Sequence, residues 1–373
     1  MGKELLSASL EAIFSQLETR ILLEIVDQIK ANGLLNSTSD YRIQRLSQFG
    51  VTSENIKQYI KSALALSNQQ INRIFDEVTT TEFVRDKSLY KDGGKDPIDN
   101  TELLALAKKI SKQTYEECVN ITRTLGFVIS TTTGQKNIEM SKYIISILDK
   151  YSIGIASGMM SYSEAIDKSV KEITDSGVRS IEYASGMTYK VNVMARKVLM
   201  TGIAQLQTQH AVTIAQVLQT DKYEVSFHLT ARPTHWPWQG RVYTMQGLKE
   251  ICGLGDITGL LGVNCYHTYA PFPDGATRTY TDEYLDQAYK KSQEEKMYNG
   301  KKYTIYDALQ AQRQMETSIR KYKTKDVLLR RGEADDSLVL DNKLRYRSIS
   351  RIYKEFSDVM GLPEQRERLK IYG

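Results

Sequence analysis

At 373 residues with 41% hydrophobic content, the chain is long enough for two or three domains and a real buried core. Its 50 basic residues against 45 acidic ones leave a net charge of only +5, short of the basic excess of a dedicated nucleic-acid binder. Three irregularly spaced cysteines exclude a disulfide scaffold and fit a reducing compartment, while no apolar run approaches the roughly 18–20 residues of a membrane span. With no signal peptide, and with Leu6 where a myristoylation motif needs Ser or Thr, these features describe a soluble intracellular protein.

The chain reads as helical to about residue 87. Leu5, Leu6, Leu10, Ile13, Phe14, Leu17, Ile21, Leu22 and Ile25 recur at helical spacing, and Asn32-Gly33 forms a stop. Thr52, with Asn55 three residues later, reads as the start of a further short helix carrying Ile56, Ile60 and Leu64 on one face. The polar, turn-rich segment KDGGKDPIDN (91–100) reads as a linker, after which helices resume over 103–110, 115–125 and 140–151. Ser163 precedes an amphipathic run of Ala165, Ile166, Val170 and Ile173 that Gly177 would stop. A longer helix follows over 189–218, with His210 on its apolar stripe, a position that favours a core or interface histidine over a ligand.

Residues 228–275 break the pattern. Three of the four histidines, two of the three cysteines, both tryptophans and four of the six prolines fall here, in a run with no helical period. Residues 223–229 alternate like a strand entering this module, and 241–244 would pair with it. Helix returns after Gly275: Tyr298-Asn299-Gly300-Lys301 is a tight turn, and Thr304 with Asp307 is a helix start. A long helix to about Arg331 and a second one carrying Leu340, Leu344, Ile349, Ile352, Tyr353 and Phe356 read as an αα-hairpin ending before Gly361 and Pro363.

The sharpest chemistry in the module is metal binding. Cys265-x-His267, His235 and His228 supply four N/S donors suited to a tetrahedral zinc site, with Cys252 as a substitute ligand. The competing reading is hydrogen bonding and packing in a loop-rich fold. Catalytic readings, a Cys265–His nucleophile pair or a nuclease built on His235, Asn264 and His267, lack a supporting local signature. GLGDITG lacks the GK[ST] ending of a phosphate loop, so Gly240, Gly253, Gly255, Gly259 and Gly262 read as turn and close-approach positions. One of Trp236 and Trp238 reads as core and the other as surface; Arg232 and Arg241 read as partners of Asp256 or Asp274, or of acidic groups on another protein. Arg320, Lys321, Lys323, Lys325, Arg330 and Arg331 form a basic stripe, read as a solvated helix face or as a contact for DNA or an acidic partner.

ARPTHWPWQGRVYT followed by GLLGVNCYHTYAPFPDG closely resembles the signature of the phage minor capsid protein 2 family. NITRTLGF, SYSEAIDKSVKEITDSGV and the 189–206 helix resemble the family's central region; YNGKKYTIYDALQAQRQMETSIRKYK and YKEFSDVMGLPEQRERLKIYG resemble its C-terminal part. Trp236-Pro237-Trp238 departs from relatives with small residues before a single Trp, and Arg196-Lys197 falls where a basic pair is common. The resemblance implies a structural protein of a tailed bacteriophage or prophage. Such a protein sits in the virion head, near the portal protein and the major capsid protein, after assembly in the host cytoplasm. It would assist head assembly, DNA packaging or delivery, with no catalytic residues, no membrane and no small-molecule substrate, and without a further C-terminal toxin domain.

The expected fold is a predominantly helical α+β chain. A helical N-terminal region (1–90) and a central helical region (91–220) lead to the turn-rich Trp/His/Cys module (221–280), then to the C-terminal hairpin and tail (281–373). The expected function is non-enzymatic. The rival readings are a nucleic-acid-binding morphogenesis factor contacting double-stranded DNA, and a metal-dependent hydrolase acting as the phage enters its host.

Overall fold

The computed structural model describes residues 3–32, 38–96, 100–132, 134–181, 186–262 and 265–371; Gly33 of the first helix stop, 97–99 of the linker and Asn264 lie outside the described residues. The chain is a predominantly helical α+β protein. Helices α1 (Lys3–Asn32), α2 (Thr38–Asp92) and α3 (Thr101–Arg123) precede strands β1 (Gly126–Thr131) and β2 (Gly134–Glu139). Then come α4 (Met140–Ala156), α5 (Tyr162–Ser176), β3 (Arg179–Ile181), β4 (Thr188–Lys190) and α6 (Val191–Leu218). The module holds β5 (Lys222–Val225), β6 (Val242–Thr244), α7 (Met245–Glu250) and β7 (Tyr269–Pro271). The last part holds α8 (Asp282–Gln293), β8 (Lys296–Tyr298), β9 (Lys301–Tyr303), α9 (Ile305–Arg331) and α10 (Asp336–Met360).

The apolar spacing of α1 does what it predicts. Leu10, Phe14, Leu17, Ile21, Ile25 and Ile29 are fully buried, and the helix packs against α2, α4, α5, α6 and α9. The main core therefore runs from α1 through α6 to Leu328 and Leu329 of α9.

Thr52 does not start a helix. α2 runs through it without a break, a contour of about 80 Å at 1.5 Å per residue. The Thr52 hydroxyl donates to the Gln48 carbonyl one turn back, at 2.9 Å, so it is satisfied inside the helix rather than serving as a cap. The two helices expected over 103–125 are likewise one, α3. The helix placed after Ser163 starts at Ser161, whose hydroxyl accepts from the Glu164 N–H while the Glu164 carboxylate accepts from the Ser161 N–H. Gly177 ends it at φ 62°, as expected.

An antiparallel sheet in the order β2-β1-β3-β4 was not expected. Its inner anchor is Phe127, stacked on Tyr143 of α4 at 4.1 Å. In the module, β5 pairs with β6 as expected (Lys222↔Thr244), although the strand ends at Val225 rather than running on to Leu229, and β7 closes the other edge (Val225↔Tyr269). This small sheet has its own core of Tyr223, Val225, Trp238, Leu248, Leu260 and Tyr269, seated on Ala211 and Ala215 of α6. The Asn299-Gly300 turn, both residues at positive φ, joins β8 to β9. Thr304 caps α9, which packs along α10 as the terminal hairpin, and Gly361 ends α10 at φ 70°. No described helix is long and apolar enough to cross a membrane.

Candidate metal centre

Three of the module's histidine and cysteine side chains meet in one place. His235 closes a short 3-10 turn, Pro233–His235, whose geometry is set by the fixed φ of Pro233 and by the His235 N–H donating to Arg232. Cys265 and His267 stand two apart just before β7. Their segment is pinned beside the end of β5, because the Ser226 N–H donates to the Thr268 carbonyl and the Thr268 N–H to the Ser226 hydroxyl.

Their donor atoms converge. Nδ1 of His235 lies 3.4 Å from Nδ1 of His267; Sγ of Cys265 lies 3.4 Å from the latter and 3.9 Å from the former. All three residues are buried, and among the described residues they form the one group of three or more His, Cys, Asp or Glu side chains spaced to hold a metal ion.

The outer nitrogens fix the tautomers. Nε2 of His235 faces the Thr258 carbonyl at 2.9 Å, and a carbonyl only accepts, so this nitrogen carries the proton. Nε2 of His267 faces Oε1 of Gln239 at 2.8 Å. The same Oε1 accepts the backbone N–H of His228 at 2.9 Å, which identifies it as the amide oxygen and makes His267 Nε2 a donor as well. Both Nδ1 atoms are therefore lone pairs turned toward each other and toward the thiol. Burial holds His235 below the usual imidazole range, against the Thr258 hydrogen bond that raises it; nearby Arg232 lowers it further.

The other expected donors lie elsewhere. His228 packs edge-on against His267 with its Nε2 3.1 Å from the Tyr266 carbonyl, so it buttresses the group from outside. Cys252 belongs to the module's apolar core, where burial pushes its thiol up to about 12. Trp238 is core and tilts onto His235, while half-buried Trp236 lies between Phe227 and Tyr289. Arg241 pairs with Asp282, not Asp256 or Asp274; Asp274 is taken by Lys222. His210 is buried on α6 with its Nε2 against Asp86.

Each of the six cations of the basic stripe has a partner inside the chain. Arg320 and Lys323 donate to the carbonyls of Arg368 and Leu369. Lys321, Lys325 and Arg330 pair with Asp175, Asp167 and Asp326, and Arg331 grips Asp27 through two nitrogens.

The triad lines a cleft of about 440 Å³ between the module, α6, α9 and the C-terminal tail. Its walls carry Arg196, Arg232, Arg313, Arg320 and Arg368 against a single acid, Glu11. Sequence reasoning missed this wall because Arg313 and Arg368 come from distant segments. It also missed the Gln239 amide, whose only signal was its place in the Trp-Gln-Gly part of the motif.

No curated protein and no solved structure matches the chain. The family model described as "Phage minor capsid protein 2" matches residues 3–356. That match spans the helical body, the His/Cys module and most of the terminal hairpin, and on it the chain belongs to the phage minor capsid protein 2 family, a family of phage structural proteins.

Proposed function

We propose that this virion protein docks against the portal or the inner capsid surface through its helices, and there assists head assembly, DNA packaging or DNA delivery. The family match over nearly the whole chain carries this reading. The terminal hairpin supports it: α10 packs mainly on α9, and its other side leaves Leu340 and Leu344 exposed one turn apart. A capsid component needs such a surface for a neighbour, and the sheet-bearing module would act as a wedge.

The test is co-purification with the portal protein and the major capsid protein of the same phage, followed by cross-linking mass spectrometry. Cross-links from α10 to the portal are expected, and Leu340→Glu with Leu344→Glu should abolish them while leaving thermal unfolding unchanged. Failure to associate with either capsid component would overturn the docking.

A further inference from the structure

We propose that His235, Cys265 and His267 bind a zinc ion whose fourth coordination position opens to the arginine-walled cleft and takes a phosphate-class oxyanion. This inference is independent of the docking surface and stands or falls separately.

Zinc–nitrogen bonds of about 2.05 Å and a zinc–sulfur bond of about 2.3 Å at tetrahedral angles set donor separations of about 3.4 Å for N–N and about 3.6 Å for N–S. The protein holds the three pairs at 3.4, 3.4 and 3.9 Å. Both imidazoles turn Nδ1 toward the Cys265 sulfur and toward each other, so the three donor atoms converge on one point. Their outer N–H groups are meanwhile clamped by Thr258 and Gln239, the arrangement that orients and strengthens metal-bound histidine. Two imidazoles and a thiolate suit zinc, and binding releases the Cys265 proton to solvent.

Three protein ligands leave one position; His228 is not among the converging donors, and its Nε2 lies against the Tyr266 carbonyl. All three ligands line the cleft whose walls hold five arginines and one glutamate. Arg320 and Arg368 are neighbours there. Burial, and then the Arg368 charge, hold the Arg320 guanidinium below its usual value, against Glu316, Glu11 and Glu18, which raise it; Arg368 itself pairs with Glu316 at 2.8 Å. The arginines come from α6, the loop before His235, α9 and the tail, so four separate segments contribute to the wall. A free phosphate bound through one oxygen offers three more to such a wall, and a backbone phosphodiester offers one further charged oxygen and two ester oxygens, whereas a carboxylate offers one. The phosphate is either the free ion or a nucleic-acid backbone group.

The experiment uses the full-length protein. After loading with zinc and desalting, one zinc per chain is expected by elemental mass spectrometry, and Cys265→Ser should lose it. Because unfolding of that variant would also release the metal, the wild-type chain is loaded with cobalt(II) as well. A tetrahedral site with one thiolate gives strong visible bands and a near-ultraviolet sulfur-to-cobalt band. Inorganic phosphate and a short single-stranded DNA oligonucleotide are then titrated in separately. A saturable shift of the visible bands by phosphate alone assigns the free ion, and a shift by the oligonucleotide assigns the backbone phosphate; either upholds the proposal. Arg313→Ala, outside the ligand set, should weaken the anion about tenfold without changing the sulfur band. Absence of stoichiometric metal, absence of the sulfur band, or indifference to both anions would overturn it.

Discussion

Gln239 shows how much one amide can settle. Its oxygen accepts from the His228 backbone and from the His267 ring, so it fixes at once the loop after β5 and the tautomer of a candidate ligand. Gln239→Ala is expected to lower zinc affinity by about 10–100-fold, and to destabilise the fold by about 1–3 kcal/mol through the unpaired donors it leaves. Chelator competition and urea unfolding read the two effects separately; unchanged zinc affinity would remove Gln239 from the site. The sequence makes the Cys-x-His pair and His235 visible as donor types, but spacing carries no side-chain direction. His228 and Cys252 are equally good donors on paper, and only the folded module shows one turned to a carbonyl and the other packed into an apolar core.

Among elements, helices were legible wherever an apolar stripe or a cap marked them, as in α1, α5 and α9. Their junctions were less so, because Thr52 looks like a cap until its hydroxyl is found bonded inside a continuous α2. The β1–β2 hairpin was missed because a six-residue strand between long helices carries too little periodicity to compete with them. Tight helix contacts are also invisible in sequence. Gly202 of α6 is such a point: a Cβ there would lie 2.2 Å from the Thr114 hydroxyl of α3 and 3.1 Å from the Phe75 ring of α2. Alanine in a helix interior ordinarily stabilises relative to glycine, but here overpacking decides the sign, and Gly202→Ala should cost about 1–3 kcal/mol. Adding Thr114→Ala should recover part of that loss, a coupling that a double-mutant cycle in urea would measure. Additive costs would mean the two positions do not touch.

At the scale of the whole molecule, the cations of the α9 stripe are paired inside the chain. With the stripe on α9 paired to Asp27, Asp167, Asp175 and Asp326, any binding to DNA should involve few phosphates. The logarithm of its affinity should then fall against log salt with a slope of about −1 to −2, not the far steeper slope of a protein gripping six or more phosphates. Fluorescence anisotropy across a salt series checks this, and a steep slope would restore the stripe as a DNA contact.

The place of α1 at the centre of the core also dictates when the protein can become itself. Arg331 closes on Asp27 across 304 residues, and Leu328 and Leu329 complete the apolar surround of a helix made near the start of synthesis. At about 5–20 residues per second, roughly 15–60 s separate the emergence of α1 from that of its last neighbour. Throughout that interval the ribosome holds a chain whose first helix lacks its last neighbour. Folding of this protein thus depends on the nascent chain being shielded during that interval, and withdrawing chaperones from a cell-free translation should raise the fraction that aggregates.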